Sequence, residues 1–221
     1  MDIFLQQLIN GLVLGSVYAL VALGYTMVYG ILELINFAHG EITMMGAMVA
    51  LALIGALALA APGVPGVLML GAGLALAIPV CMALGLLIER VAYRPLRNAP
   101  RLAPLITAIG VSIILQNVAM LIWGKQYIPF PAILPQGRHE LFGAHITDVQ
   151  IAILLLTTAI MLGLIAVVHK TRLGRAMRAT AQSRQVASLM GVDVNRVIAS
   201  TFAIGSALAA VAGVMVSAYY G

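Results

Sequence analysis

The sequence predicts an all-α fold, a polytopic transmembrane helical bundle of about six spans. Three observations predict it. Of 221 residues, 62% are hydrophobic and only 9% charged, against about 45–50% and about 25% in soluble domains. The apolar residues fall in six runs, each near the roughly 20 residues that cross a bilayer as helix. The few charges gather in the connections. This excludes a soluble enzyme, a disordered chain and a nucleic-acid module. The sequence pI of about 9.7 then reflects membrane orientation.

The first run covers residues 3–32, 30 positions without an ionisable side chain other than tyrosine. As a helix it reaches roughly 45 Å, beyond the roughly 30 Å hydrocarbon core, so it must tilt, enter the interface or break. Met1-Asp2 is no basic n-region, and the start reads as a retained span. The second run, Ile42–Ala61, stops at the breakers Pro62-Gly63-Val64-Pro65-Gly66. The third, Val67–Ile88, contains Pro79, which predicts a kink. The fourth, Leu102–Trp123, ends on an interfacial Trp123. The fifth and sixth are Val149–Val168 and Val197–Tyr220. Residues 124–148, with Pro129, Pro131 and Pro135, form a loop outside the core.

Charge sets the direction. Segments 89–101 and 169–196 hold 10 of the 12 Lys and Arg residues. Two spans separate them, so both face one side, the cytoplasm by the positive-inside rule. The 124–148 loop is neutral and faces out. Residues 32–41 fall on the cytoplasmic side yet carry Glu33 and Glu41 without a Lys or Arg, which suggests a re-entrant or buried stretch.

Small residues drive helix association in membranes. Gly205, Ala209, Gly213 and Ser217 repeat every fourth position in the last span, and Gly11, Gly15 and Ala19 in the first. Both read as helix-packing seams. Chemistry of other kinds is missing: there is no phosphate-binding loop, no H-E-x-x-H and no G-x-S-x-G. The single Cys81 offers neither disulfide nor metal framework.

Three stretches carry signal. Ile35-Asn36-Phe37-Ala38-His39-Gly40-Glu41, with Tyr25 and Tyr29 upstream, sets polar groups between two apolar runs. It reads either as a broken segment that shapes a pathway or gate, or as an interfacial turn capped by Asn36. His39 and Glu41 are too few ligands for a metal. The 169–196 segment is long, with a helix-forming middle at Ala176–Met190 and a Gly191 stop. Such a helix could lie on headgroups or dock into a partner. Glu89-Arg90-Val91-Ala92-Tyr93-Arg94-Pro95-Leu96-Arg97 is explained by a solvated basic loop.

Together these stretches resemble the H-type permease subunit of bacterial branched-chain amino acid ABC importers. The resemblance rests on Gly24–Gly30, Ile35–Glu41, Glu89–Pro95, Gly110-Val111-Ser112 before Leu115-Gln116-Asn117, Gly174–Ala179 and Ala187–Val192. It spans essentially the whole chain. Relatives continue into further spans, so it implies a C-terminally truncated chain. It implies the ABC importer permease fold in one permease domain, 1–221, of a multi-pass protein of the bacterial inner membrane. No catalytic residue is expected in what is a transport subunit. ATP and Mg belong to two ATP-binding partner subunits. The other implied partners are an M-type second permease and an external amino-acid-binding protein, with membrane lipid and no nucleic acid. Tyr25, Tyr29, Asn36, His39 and Glu41 would line or gate the pathway. Residues 176–192 would be the coupling helix within 169–196, with Arg175 and Arg178 flanking the ATPase surface and Ala187 and Gly191 giving close contact. Ser183 departs from the acid usual near there. Urea and short-amide permeases share much of this pattern, and a partner-independent carrier or channel is the remaining alternative.

Overall fold

A computed structural model describes residues 2–61, 63–97, 99–100, 102–126, 128–131, 137–141 and 143–220. Pro62, Arg101 and Pro135 lie outside them. Six helices are long and apolar enough to cross a membrane. They are α1 (Asp2–Leu32), α2 (His39–Ala60), α3 (Gly66–Ile88), α4 (Leu102–Trp123), α5 (Asp148–Lys170) and α8 (Val194–Tyr220). Two short helices, α6 (Arg172–Gln182) and α7 (Arg184–Leu189), lie between α5 and α8. A hairpin of β1 (Arg138–Leu141) and β2 (Ala144–Thr147) precedes α5, with Arg138 opposite Thr147. The sequence reading had no strand in that loop.

The α1 helix is continuous over 31 residues and does not break. Pro79 sits inside α3 without ending it. Beyond Ile88 the same helix continues as a π turn, Glu89–Tyr93, and a 3-10 turn, Arg94–Leu96. This corrects the reading of 89–97 as a solvated loop. The π turn rotates Glu89 and Tyr93 inward, where both are buried, while Arg90 and Arg94 remain exposed.

The centre of the bundle is α8. In α8, 78% of its apolar stretch is buried, against 17% in α4 and 11% in α5, so the bundle is built around the last span. Small residues let neighbours approach it. A Cβ on Gly205 would come within 3.3 Å of the Gly24 carbonyl oxygen on α1. One on Gly46 of α2 would lie 2.6 Å from Ala210 Cα, and one on Gly213 would strike the Thr43 carbonyl of α2. Gly85 of α3 receives Ser206 in the same way, and Ala209 is fully buried. The seam expected in α1 is different. Gly11 and Gly15 are exposed with nothing within 4 Å of a Cβ, and Gly24 makes the close contact instead. The 3.6-residue period leaves both faces of α1 equally plausible in sequence; only the position of α8 selects one.

The outer end is tied by amides. Gln6 Nε2 donates to the His145 carbonyl at 3.0 Å, and His145 N donates to Gln6 Oε1 at 2.8 Å. Gln150 Nε2 reaches Asn10 Oδ1 at 3.1 Å. Thr147 caps α5 in a reciprocal capping box with Gln150. The hairpin therefore rests on the start of α1.

Candidate functional site: a polar cluster and the basic segment

At the opposite end the α1–α2 connection, 33–38, is a tight turn rather than a re-entrant segment. Glu33 closes α1 in the left-handed region, φ 56°, its N–H donating to Tyr29 O at 2.7 Å. Asn36 Oδ1 accepts from Ala38 N at 3.1 Å and from the Tyr93 hydroxyl at 2.8 Å. His39 N donates to Asn36 O at 3.0 Å. Thus α2 begins at His39, three residues earlier than the apolar run suggested, with Ala38 as its N-cap and the Asn36 carbonyl accepting from His39 N.

The five residues assigned to a pathway or gate do not form one surface. Asn36 and His39 are buried, at 3% and 1% exposure. The His39 ring packs against Tyr25 at 4.5 Å between centroids. A Cβ on Gly24 would stand 2.5 Å from His39 Cε1, so this glycine makes room for the imidazole. His39 Nε2 has no hydrogen-bond partner among the described residues. Tyr29 is half exposed and apart from them. Glu41 turns to α4, where its Oε1 accepts from Ser112 Oγ at 2.9 Å and Gln116 Nε2 at 2.7 Å. Ser112 and Gln116 were absent from the sequence-based site. Their i, i+4 spacing on a largely apolar helix was the available signal.

Below this lies a buried ion pair that the sequence reading missed. Arg97 pairs with Glu89 and also donates to Asn195 Oδ1 at the start of α8. Burial lowers the Arg97 pKa, and the Glu89 carboxylate opposes that shift. Arg184 Nε donates to Ile31 O at 3.0 Å, joining α7 to the end of α1. The basic segments thus meet at one end of the bundle, as the charge count required.

The 169–196 segment contains two helices, where the sequence suggested one over Ala176–Met190. Ser183 is extended, φ −161° and ψ 114°; it ends α6, and its hydroxyl caps α7 through Val186 N at 3.3 Å. A capping serine at this position competes with helix continuation. At the α5–α6 turn Thr171 Oγ1 accepts from Gly174 N at 3.0 Å. Gly174 lies so close to the Val167 and Val168 carbonyls that a Cβ has no room. Gly191 ends the segment with φ 82°, the left-handed stop its sequence position indicated. Arg175 and Arg178 are exposed, and Arg178 also donates to Val168 O. Ala187 faces inward at 3% exposure, whereas Val186, Leu189 and Met190 are 57%, 86% and 80% exposed. Those three apolar side chains, rather than Ala187, form the projecting face of the isolated chain.

Comparison with known proteins now decides the family. Residues 7–221 match the family described as "Branched-chain amino acid transport system / permease component". The chain belongs to this permease family. It is 48% identical to the high-affinity branched-chain amino acid transport system permease protein LivH of Escherichia coli K12, over 99% of this chain and 72% of that protein. The Salmonella typhimurium LT2 LivH is similar at 48%, with the same shares covered. So is BraD of Pseudomonas aeruginosa PAO1, a permease protein of such a system, again at 48% over 99% and 72%. No solved structure matches. This permease is a transport subunit with six candidate spans and is a multi-pass protein of the cell membrane. It is one component of a multi-component transport system.

Proposed function

We propose that this chain is the H-type permease subunit of an ATP-driven importer that carries branched-chain amino acids across the bacterial inner membrane. Its partners are an M-type second permease, two ATP-binding subunits that hold ATP and Mg, and an external binding protein that delivers the amino acid. The observation that carries this reading beyond the family match is the projecting face of α7. Val186, Leu189 and Met190 are exposed on an arginine-bearing segment, and exposed apolar patches rimmed by polar groups mark protein contacts. Arg175 and Arg178 are exposed on the preceding helix, α6, and in this reading flank that face. Ala187 packs beneath it and Gly191 ends it, so both position the patch.

The transport face is proposed at Glu41, Ser112 and Gln116. A carboxylate held by two donors on an exposed side of α2 and α4 is costly in lipid and suits a subunit interface that carries a zwitterion. Asn36, His39 and Tyr25 act behind it by fixing the α1–α2 turn. Replacing Leu189 and Met190 with Asp in the assembled transporter tests the reading. The permease should reach the membrane at normal abundance while leucine uptake and binding-protein-stimulated ATP hydrolysis fall at least about tenfold, the effect of removing hot-spot contacts of about 1.4 kcal/mol or more. Unchanged uptake would refute it.

A further inference from the structure

A cavity at the cytoplasmic end is used by none of the roles above. It measures about 380 Å³ and opens between the end of α1, the extension of α3, the start of α4 and the α6–α7 junction. Its walls combine apolar Leu32, Leu34 and Pro104 with Glu33, Arg97 and Arg184. The lining is mixed, with polar and charged side chains converging among apolar ones, and the volume lies in the range of small-ligand sites.

The charges are arranged for a partner that carries both signs. The two Nη groups of Arg97 are engaged by Glu89 and Asn195, while its buried Nε has no partner among the described residues. The Arg184 side chain makes one hydrogen bond among the described residues, through Nε to Ile31 O, so its Nη donors remain. No ion pair joins Glu33 to Arg184, or Glu33 to any other described residue. One carboxylate and one guanidinium therefore line the same cavity without neutralising each other.

Backbone strain supports a role for Glu33. It is the non-glycine residue with positive φ among the described residues. Glycine would end α1 there at no steric cost, whereas an L-residue costs roughly 1 kcal/mol or more. Strain of this kind persists where a side chain is wanted for something other than the fold.

We propose that this cavity is a cytoplasm-facing binding site for a zwitterionic α-amino acid with an apolar side chain. Glu33 receives the ammonium, Arg184 the carboxylate, and Leu32, Leu34 and Pro104 the side chain. The ligand class rests on the transport reading above, since the cytoplasm below the permease is where the imported amino acid accumulates. A ligand bridging Glu33 and Arg184 ties the end of α1 to the start of α7. It favours whichever arrangement keeps them at one spacing and holds the coupling turn still. Imported amino acid thereby slows its own import.

The test uses the complete transporter in phosphatidylcholine vesicles, with binding protein outside and ATP inside. The readout is the initial uptake rate of labelled leucine, with the lumen empty or loaded with unlabelled leucine. Luminal leucine should slow native uptake about fivefold or more as the site fills. Luminal leucinamide, which lacks the carboxylate, and 4-methylpentanoate, which lacks the ammonium, should not. Glu33→Gln and Glu33→Gly should import at the native rate into empty vesicles and escape the inhibition; Glu33→Gly also relieves the backbone. Native uptake indifferent to luminal leucine would overturn the proposal while leaving the transport reading intact. So would equal inhibition of both Glu33 variants. Inhibition that disappears on adding phosphatidylethanolamine would assign the cavity to a zwitterionic lipid headgroup and overturn it as well. Failure of empty vesicles to import any branched-chain amino acid would remove the transport reading, and this proposal with it.

Discussion

Replacing Gly213 with alanine adds one methyl group at the tightest contact between α2 and α8. The new Cβ would lie 3.0 Å from the Thr43 carbonyl carbon, nearer still to its oxygen, and 3.3 Å from Ala47 N. Optimal separation for such heavy atoms is about 3.5–4.0 Å. The opposing atoms are helix backbone and cannot rotate away as a side chain would, so the two helices must part by about 1 Å. Such a gap forfeits about a quarter to a half of each contact along the seam. Overpacking costs about 1–3 kcal/mol, and a clash against rigid helix backbone lies in the upper part of that range, about 2–3 kcal/mol, while alanine returns about 1 kcal/mol of helix propensity. The expected net loss is about 1–2 kcal/mol. At about 2–4 °C per kcal/mol for a chain of this size, the apparent Tm should fall by about 2–8 °C. Gly15→Ala is the matched control. It makes the same chemical change where nothing lies within 4 Å, and should leave stability unchanged or raise it by up to about 1 kcal/mol. The assay is thermal unfolding of the detergent-solubilised protein, followed by the fraction that remains monodisperse after heating. Equal Tm changes for Gly213→Ala and Gly15→Ala would refute the central position of α8.

The Glu89–Arg97 pair predicts that Glu89→Ala destabilises by up to about 3 kcal/mol, because the partly buried Arg97 is left charged without its partner; replacing both residues with Met should recover much of this, measured on the same melting scale. Asn36→Ala removes the acceptor for both Ala38 N and the Tyr93 hydroxyl, and should cost about 1–3 kcal/mol, more than Tyr93→Phe at about 1 kcal/mol; the reverse order would show that Asn36 does not hold the turn. Ser112→Ala with Gln116→Leu strips the donors from Glu41, and should lower leucine uptake about tenfold or more with native membrane abundance, in line with about 1.5–3 kcal/mol per hydrogen bond to a charged group. Uptake unaffected by that pair would return Glu41 to a packing role.

Much was legible without coordinates. Hydropathy located all six spans, because a bilayer admits few other structures for an apolar chain, and charge asymmetry put both basic segments at one end. Local chemistry placed the Gly191 stop. The sequence reading failed where one residue's environment depends on a distant element. The run Glu89–Arg97 looks like a basic loop until the π turn and Asn195 on α8 show that Glu89 and Arg97 are paired and buried. Asn36 and His39 look like pathway residues until Tyr93 and Gly24 close around them. Ala187 looks like a contact surface until its neighbours prove to be the exposed ones. The one-dimensional pattern determined which segments leave water, since that transfer free energy is a property of each segment alone. Which helix stands at the centre, which glycines touch and which polar groups find partners was decided only by the tertiary structure, because close packing and hydrogen bonding are pairwise properties of elements far apart in the chain.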